Sequence, residues 1–296
     1  MSALPEATRP LTTPLKKFRG DIRVNEITPA YLKEYEGWMM NQKGRSKTTV
    51  GIHARCFRAV INEAIELKLM SRDDYPFGRR RYRIPTGKNI KKAMDKESIA
   101  KLYYTKADTD NQQKGKDFWF FSFFGNGMNV KDMVSLKYGD IKGEFLVFER
   151  AKTQLTTMRD PIVISCFLNT DMRKTIEKYG NADTIPSNYI FPVLTHGLTP
   201  IRMDDLIHNF VAFINHNMAK MCQKANLPKN VGTMETRHSA STIMKNAGVP
   251  PHYIKEQLGH TSLQTTENYL AGFENTQKKE FAKVLESFKK FKPKKG

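Results

Sequence analysis

A guanidinium, an imidazole and a phenol follow one another near the carboxyl end of the chain, as Arg237, His260 and Tyr269. Arg237 falls at the start of a segment patterned as a helix over residues 236–247. There free backbone N–H groups, the helix dipole and the planar guanidinium fork can all address one phosphate. His260 closes the next helical segment directly after Leu258-Gly259, and Tyr269 lies nine residues further on, on a short helix. A turn between them can aim both side chains at that same phosphate. A phenol beside a bound phosphate is a nucleophile in waiting, provided its proton, normally held to about pH 10, has somewhere to go.

A second source of positive charge lies upstream. Residues 144–149 and 159–165 are rich in β-branched and aromatic side chains and are joined by AKTQLTTM, so they read as a pair of strands at a domain edge. Arg150 and Lys152 are two residues apart at the end of the first strand, and by the period-two alternation of a strand they share a face.

The elements that must position these groups are mostly helical. Apolar side chains recur at three- and four-residue intervals over 29–42 and 47–70, which form a small helical module. After a stop at Tyr75-Pro76-Phe77-Gly78 comes a stretch in which Arg79, Arg80, Arg81, Arg83, Lys88, Lys91 and Lys92 meet no acidic residue. This reads as a linker able to strap phosphates, or as a solvated charge run. Asp95 can cap a helix over 96–105. Further helices are expected near 115–125, 129–137, 169–180, 202–226, 236–247, 251–258, 263–271 and 274–290. The fold class is therefore mainly α with a small β-hairpin. The aromatic run 118–124, His252 and Tyr253 sit at helical spacing and are assigned to structure, since such aromatics are usually core.

Charge narrows the partner. With Lys+Arg 49 against Asp+Glu 30 the net charge is +19 and the pI about 9.7, so the working partner is expected to be a polyanion, nucleic acid first. Cys56, Cys166 and Cys222 are scattered without CxxC spacing, against a cysteine zinc site or a disulfide framework and in keeping with a reducing cytoplasm. The chain shows no apolar run of membrane-spanning length and no signal peptide at its start, so the expectation is a soluble cytoplasmic protein of a bacterium, nucleoid-associated when bound to DNA.

Taken together, the stretch from Glu235 to Tyr269 resembles the tyrosine recombinase (phage integrase) family, whose second motif reads His-x-x-Arg, then Leu-Gly-His, then a nucleophilic tyrosine nine residues on. The Arg237-His238, Ala247-Gly248-Val249, Leu258-Gly259-His260 and Thr265-Thr266-x-x-Tyr269 pieces all match. Upstream, the run from Gly127 through Asp132 to Leu136 looks like the family's first motif, Gly-x-Arg-x-x-Glu-x-x-x-Leu. The overall pattern is most like integrases of conjugative transposons and related mobile elements.

The resemblance implies two domains: a helical core-binding module over 1–78, shortened relative to the family, a basic linker over 79–93, and an integrase-like catalytic domain over 94–296 ending in a helix and basic tail. It implies an enzyme of DNA recombination and integration that needs no cofactor, metal or ATP. Tyr269 attacks a phosphodiester to form a 3′-phosphotyrosyl link, Arg237 and His260 stabilise the transition state, and Lys152 acts as general acid toward the leaving 5′ oxygen. The partner is double-stranded DNA, gripped partly through the basic residues at 79–92. The assembly on DNA is a tetramer built by exchange of the C-terminal helix, with a monomer when free; the alternative is a helix packed on its own domain with a solvated tail. No arm-site-binding domain is expected in the first 28 residues.

The chain departs from the family pattern twice. Asn129 stands where the first motif has its arginine, and Met234 stands where His-x-x-Arg has its histidine. Arg150, on the same strand face as Lys152, is the candidate to replace the missing arginine. These departures keep open a DNA-binding protein of the same fold with weak or no catalysis, and more remotely a topoisomerase-like relaxing enzyme.

Overall fold

The computed structural model describes residues 17–87, 93–151, 162–227 and 231–259, and the chain divides into two compact units, within residues 1–90 and 91–296.

The first unit is built on α1 (Pro29–Gly37) and α2 (Lys47–Glu66). Each begins where a hydroxyl can cap it: the Thr28 side chain accepts from the Tyr31 N–H at 3.2 Å, with Pro29 at the first helical position, and Ser46 accepts from Thr49 N–H at 3.2 Å. Helix α1 stops at Gly37 and passes into a wider turn over Trp38–Gln42. Helix α2 ends four residues short of the expected Met70. Lys68 turns left-handed at φ 58°, and Leu69 N–H reaches back to Ala64 C=O at 2.8 Å. Tyr31, Tyr35, Phe57 and Ile61 fill the core between the helices, with the Tyr35 and Phe57 rings edge to face at 5.2 Å.

This core also claims the start of the expected linker. Phe77 and Tyr82 are buried in it, Gly78 N–H and Tyr82 N–H are bonded to Tyr82 C=O and Pro76 C=O at 3.2 and 3.0 Å, and the Tyr82 hydroxyl donates to Glu36 at 2.9 Å. The reading of a linker beginning at Arg79 is corrected accordingly: two apolar side chains bracket the arginines and fold the segment back as a turn of the first unit. Lys88, Lys91 and Lys92 lie outside the described residues.

The second unit comprises α3 (Lys96–Tyr104), α4 (Asp110–Phe124), α5 (Val130–Ser135), a three-stranded sheet, α6 (Thr170–Tyr179), α7 (Pro200–Lys224), α8 (Thr233–Asn246) and α9 (Pro251–Gln257). Helix α4 is the hub. Phe118, Trp119, Phe120 and Phe121 are all buried, and the Trp119 indole N–H donates to Gly232 C=O at 2.9 Å, tying the hub to the start of α8. The aromatic run is core, as its spacing implies. The sheet order is β1 (Ile141–Lys142), β2 (Phe145–Glu149), β3 (Val163–Phe167), antiparallel throughout, with Phe145 opposite Phe167 and Glu149 opposite Val163. Leu146, Phe148, Ile164 and Cys166 point inward while Phe145, Val163 and Phe167 are exposed.

Candidate functional site

The site grows from two arginines on different elements. Arg150 follows β2 directly, and its backbone N–H holds Ile162 C=O at 2.9 Å, so the strand pairing fixes its position. Arg237 is the fifth residue of α8. Both side chains are almost wholly enclosed, at 9% and 5% exposure, which is rare for arginine and points to built-in partners. Arg150 Nη1 donates to Gly259 C=O, and Arg237 Nη2 donates to Leu258 C=O while its Nη1 reaches Gly127 C=O at 3.2 Å. Two guanidiniums from distant parts of the chain therefore meet on consecutive carbonyls, those of the two residues just before His260.

Glycines make this approach possible. Gly127 has φ +75°, and a Cβ there would lie 2.5 Å from Arg237 Cα. Gly259 has φ +57°, and a Cβ there would lie 2.6 Å from Arg150 Cδ. Any side chain at either position would push an arginine away from the site.

Between the arginines and the hairpin sits Asp132 of α5, a residue the sequence reading quoted within a motif but gave no role. Its Oδ1 accepts the Ala151 N–H at 2.8 Å, clamping the chain between Arg150 and Lys152. Burial pushes its carboxyl above the ordinary carboxylate value, and the Ala151 N–H and the charges of Arg150, Arg237 and Lys131 oppose that push. The Asp132 carboxyl thus lies within the electrostatic reach of both arginines.

The two departures have local explanations. Asn129 is the N-cap of α5, with its Oδ1 accepting the Lys131 N–H at 3.0 Å, so the arginine position of the motif carries out a helix-starting task. Met234 is 48% exposed near the start of α8 and brings no proton-transfer group.

Two expectations are corrected. The N-terminus of the helix bearing Arg237 is not an open cradle for an anion. The helix starts three residues earlier than expected, at Thr233, and protein groups already occupy its entry: Gly232 N–H bonds Glu235 Oε2 and Thr233 N–H bonds Asn215 Oδ1, each at 2.8 Å. The positive field comes from side chains. His252 and Tyr253 are exposed, Tyr253 at 44%, because α9 turns Ile254 and Gln257 inward instead.

Lys152, His260 and Tyr269 lie outside the described residues. Arg79, Arg80, Arg81 and Arg83 are exposed around the turn that Phe77 and Tyr82 anchor, with Arg81 Nη1 donating to Tyr75 C=O. Both arginines are among the candidates named from the sequence, and the structure brings them together on the 258–259 segment. Sequence reasoning missed Asp132, for which the signal was an acid placed five residues after Gly127 in the first motif, and it missed the Leu258 and Gly259 carbonyls, since backbone acceptors leave no trace in residue type.

Residues 6–84 match the phage integrase SAM-like domain and residues 92–275 match the phage integrase family. A probable integrase/recombinase protein of Methanocaldococcus jannaschii is 26% identical over 163 residues, 54% of this chain and 46% of that protein. Transposase B from transposon Tn554 of Staphylococcus aureus is 25% identical over 174 residues, 54% of this chain and 25% of that protein. The chain thus spans less than half the length of these curated relatives. Among solved structures, the Tn1549 transposon integrase in complex with transposon right end DNA superimposes with a TM-score of 0.63 at 16% identity, covering 94% of this chain and 92% of that one. The XerH site-specific recombinase bound to palindromic difH substrate gives 0.62 at 15% identity, covering 93% and 76%. At these identities the likeness is one of fold.

Proposed function

This chain belongs to the phage integrase family, and from that premise we propose that it is a site-specific DNA recombinase that cuts and rejoins strands through a 3′-phosphotyrosyl link to Tyr269. The observation that carries the reading is the convergence of Arg150 and Arg237 on Leu258 and Gly259, immediately before His260 and nine residues before Tyr269.

In this reading the Tyr269 phenolic oxygen attacks phosphorus, the bond to the 5′ oxygen breaks, and the phenolic proton leaves to a neighbouring base. Charge gathers on the phosphorane oxygens, where the two buried guanidiniums act without needing to reorganise. Lys152, two residues along from Arg150 and just past the Ala151 N–H held by Asp132, protonates the leaving oxygen. His260 helps to stabilise the transition state. A later attack by a 5′ hydroxyl reverses the step, so one phosphoester replaces another and no nucleotide hydrolysis is drawn on.

Arg150 replaces the arginine missing at Asn129. It arrives from the hairpin instead of from the first motif, and it shares a partner segment with Arg237. Arg150→Ala is expected to slow single-turnover strand cleavage about a hundred- to a thousandfold, the usual cost of losing one charge-stabilising donor. Full activity in Arg150→Ala would refute the replacement.

DNA phosphates are expected to meet the exposed Arg79, Arg80, Arg81 and Arg83 and the lysines at 88, 91 and 92, giving binding that weakens steeply with salt. The C-terminal stretch is assigned to exchange between protomers of a tetramer on DNA. A second reading, a DNA-binding protein with little catalysis, is favoured by Met234, which leaves the histidine position of the second motif without a proton donor.

A further inference from the structure

Asn126 occupies the turn after α4 at φ 59°, and its Nδ2 donates to Gln257 Oε1 at 2.7 Å. Gln257 closes α9 and is 4% exposed, so an amide at this position is bonded inside the protein and not to water. The bond crosses a particular gap. Gly127, next to Asn126, and Leu258, next to Gln257, supply the two carbonyls that receive the Arg237 fork. The Asn126–Gln257 bond and the Arg237 guanidinium therefore span the same two stretches of backbone side by side.

We propose that Asn126 and Gln257 are positioning residues for Arg237: their amide bond sets the distance between the Gly127 and Leu258 carbonyls, and that distance sets the direction in which the guanidinium faces a phosphate. The inference rests on the recombinase reading of the site. Three features support it. The turn carries two successive left-handed residues, Asn126 and Gly127, and the Gly127 and Met128 N–H groups tie it to Ser122 C=O at 2.9 and 3.0 Å, so the turn is fixed to α4 and the Asn126 amide carries that fixed position across to α9. Asparagine is among the few residues with a side chain that enter the left-handed region readily, and it supplies the amide donor as well. On the other side, Gly259 already touches Arg150, so a shift of the 257–259 segment would move the contacts of both arginines together. Neither amide touches reacting atoms; both act through Arg237.

The substitutions that isolate this role are Asn126→Gly, which keeps the left-handed backbone but removes the amide, and Gln257→Met, which keeps length and burial. Four quantities are read on the full chain: the single-turnover rate of covalent adduct formation on a nicked duplex, duplex affinity, the thermal midpoint, and the NMR signal of the Arg237 Nε–H. Each variant is expected to slow the adduct about ten- to a hundredfold, the scale of a misplaced catalytic group, with duplex affinity within about twofold and the midpoint nearly constant. The Arg237 signal should shift in both, and the double variant should be no slower than the singles, since all remove one tie. Unchanged rates with an unmoved Arg237 signal would overturn the proposal. So would rate, affinity and midpoint falling in step, the mark of general loosening. If the unsubstituted protein forms no adduct, the recombinase reading falls, and the Arg237 signal alone decides the positioning role: a shift in both variants upholds it and no shift rejects it.

Discussion

Asn129 shows how a single position can leave a family pattern without emptying the site. Its carboxamide starts α5 by accepting the Lys131 N–H, a bond that an arginine side chain has no acceptor to make. A cap of this kind stabilises by about 1 kcal/mol. Asn129→Ala is therefore expected to lower the unfolding free energy of the second unit by about that amount, read by urea denaturation, while slowing cleavage far less than Arg150→Ala does. An Asn129→Ala loss as large as that of Arg150→Ala would place position 129 in the chemistry and return the arginine's role to the first motif. Asp132 makes the complementary point. Its type and spacing were visible, but only the fold reveals that its carboxyl feels the charge of both guanidiniums and also grips the backbone just before Lys152.

At the scale of elements, helix α2 carries a buried His53 whose Nδ1 lies 2.8 Å from the Tyr35 hydroxyl of α1. Burial, and then the nearby charge of Arg45, hold this imidazole below its ordinary value of 6.5. The unfolded chain takes up a proton that the folded one resists, so this contribution to stability is complete above about pH 6.5 and is lost as the pH falls below it. The thermal midpoint of the first unit is expected to drop on acidification through that range, and His53→Gln to flatten the dependence. An unchanged slope in the variant would assign it to other groups. Helices with strong apolar patterning, such as α2 and α7, were legible in the sequence to within a few residues. Capped starts were legible where the cap stands next to the patterned segment, as Asp95 does before α3, and not where polar residues separate the two: α4 begins five residues before the pattern suggests, because Thr109 accepts the Gln112 N–H. The two-residue β1 was invisible because it is too short to show any period. The turn at 78–82 misled for a related reason. Three arginines dominate its composition, while its placement is decided by Phe77 and Tyr82 on either side.

For the molecule as a whole, each unit buries its own apolar core, so each can hold its surface charge in place without borrowing structure from DNA. The excess of +19 supplies long-range attraction for a polyanion and the two buried arginines supply the local field, and these are separable properties. A basic DNA-binding protein needs the first alone; a recombinase needs both, with a nucleophile. The measurement that separates them is denaturing electrophoresis after incubation with a nicked duplex that traps cleaved strands. A covalent protein–DNA band is expected with the unsubstituted chain, attached through a 3′ phosphate to Tyr269 and absent in Tyr269→Phe. No band under conditions where the duplex is fully bound, or an equal band in Tyr269→Phe, would contradict the account.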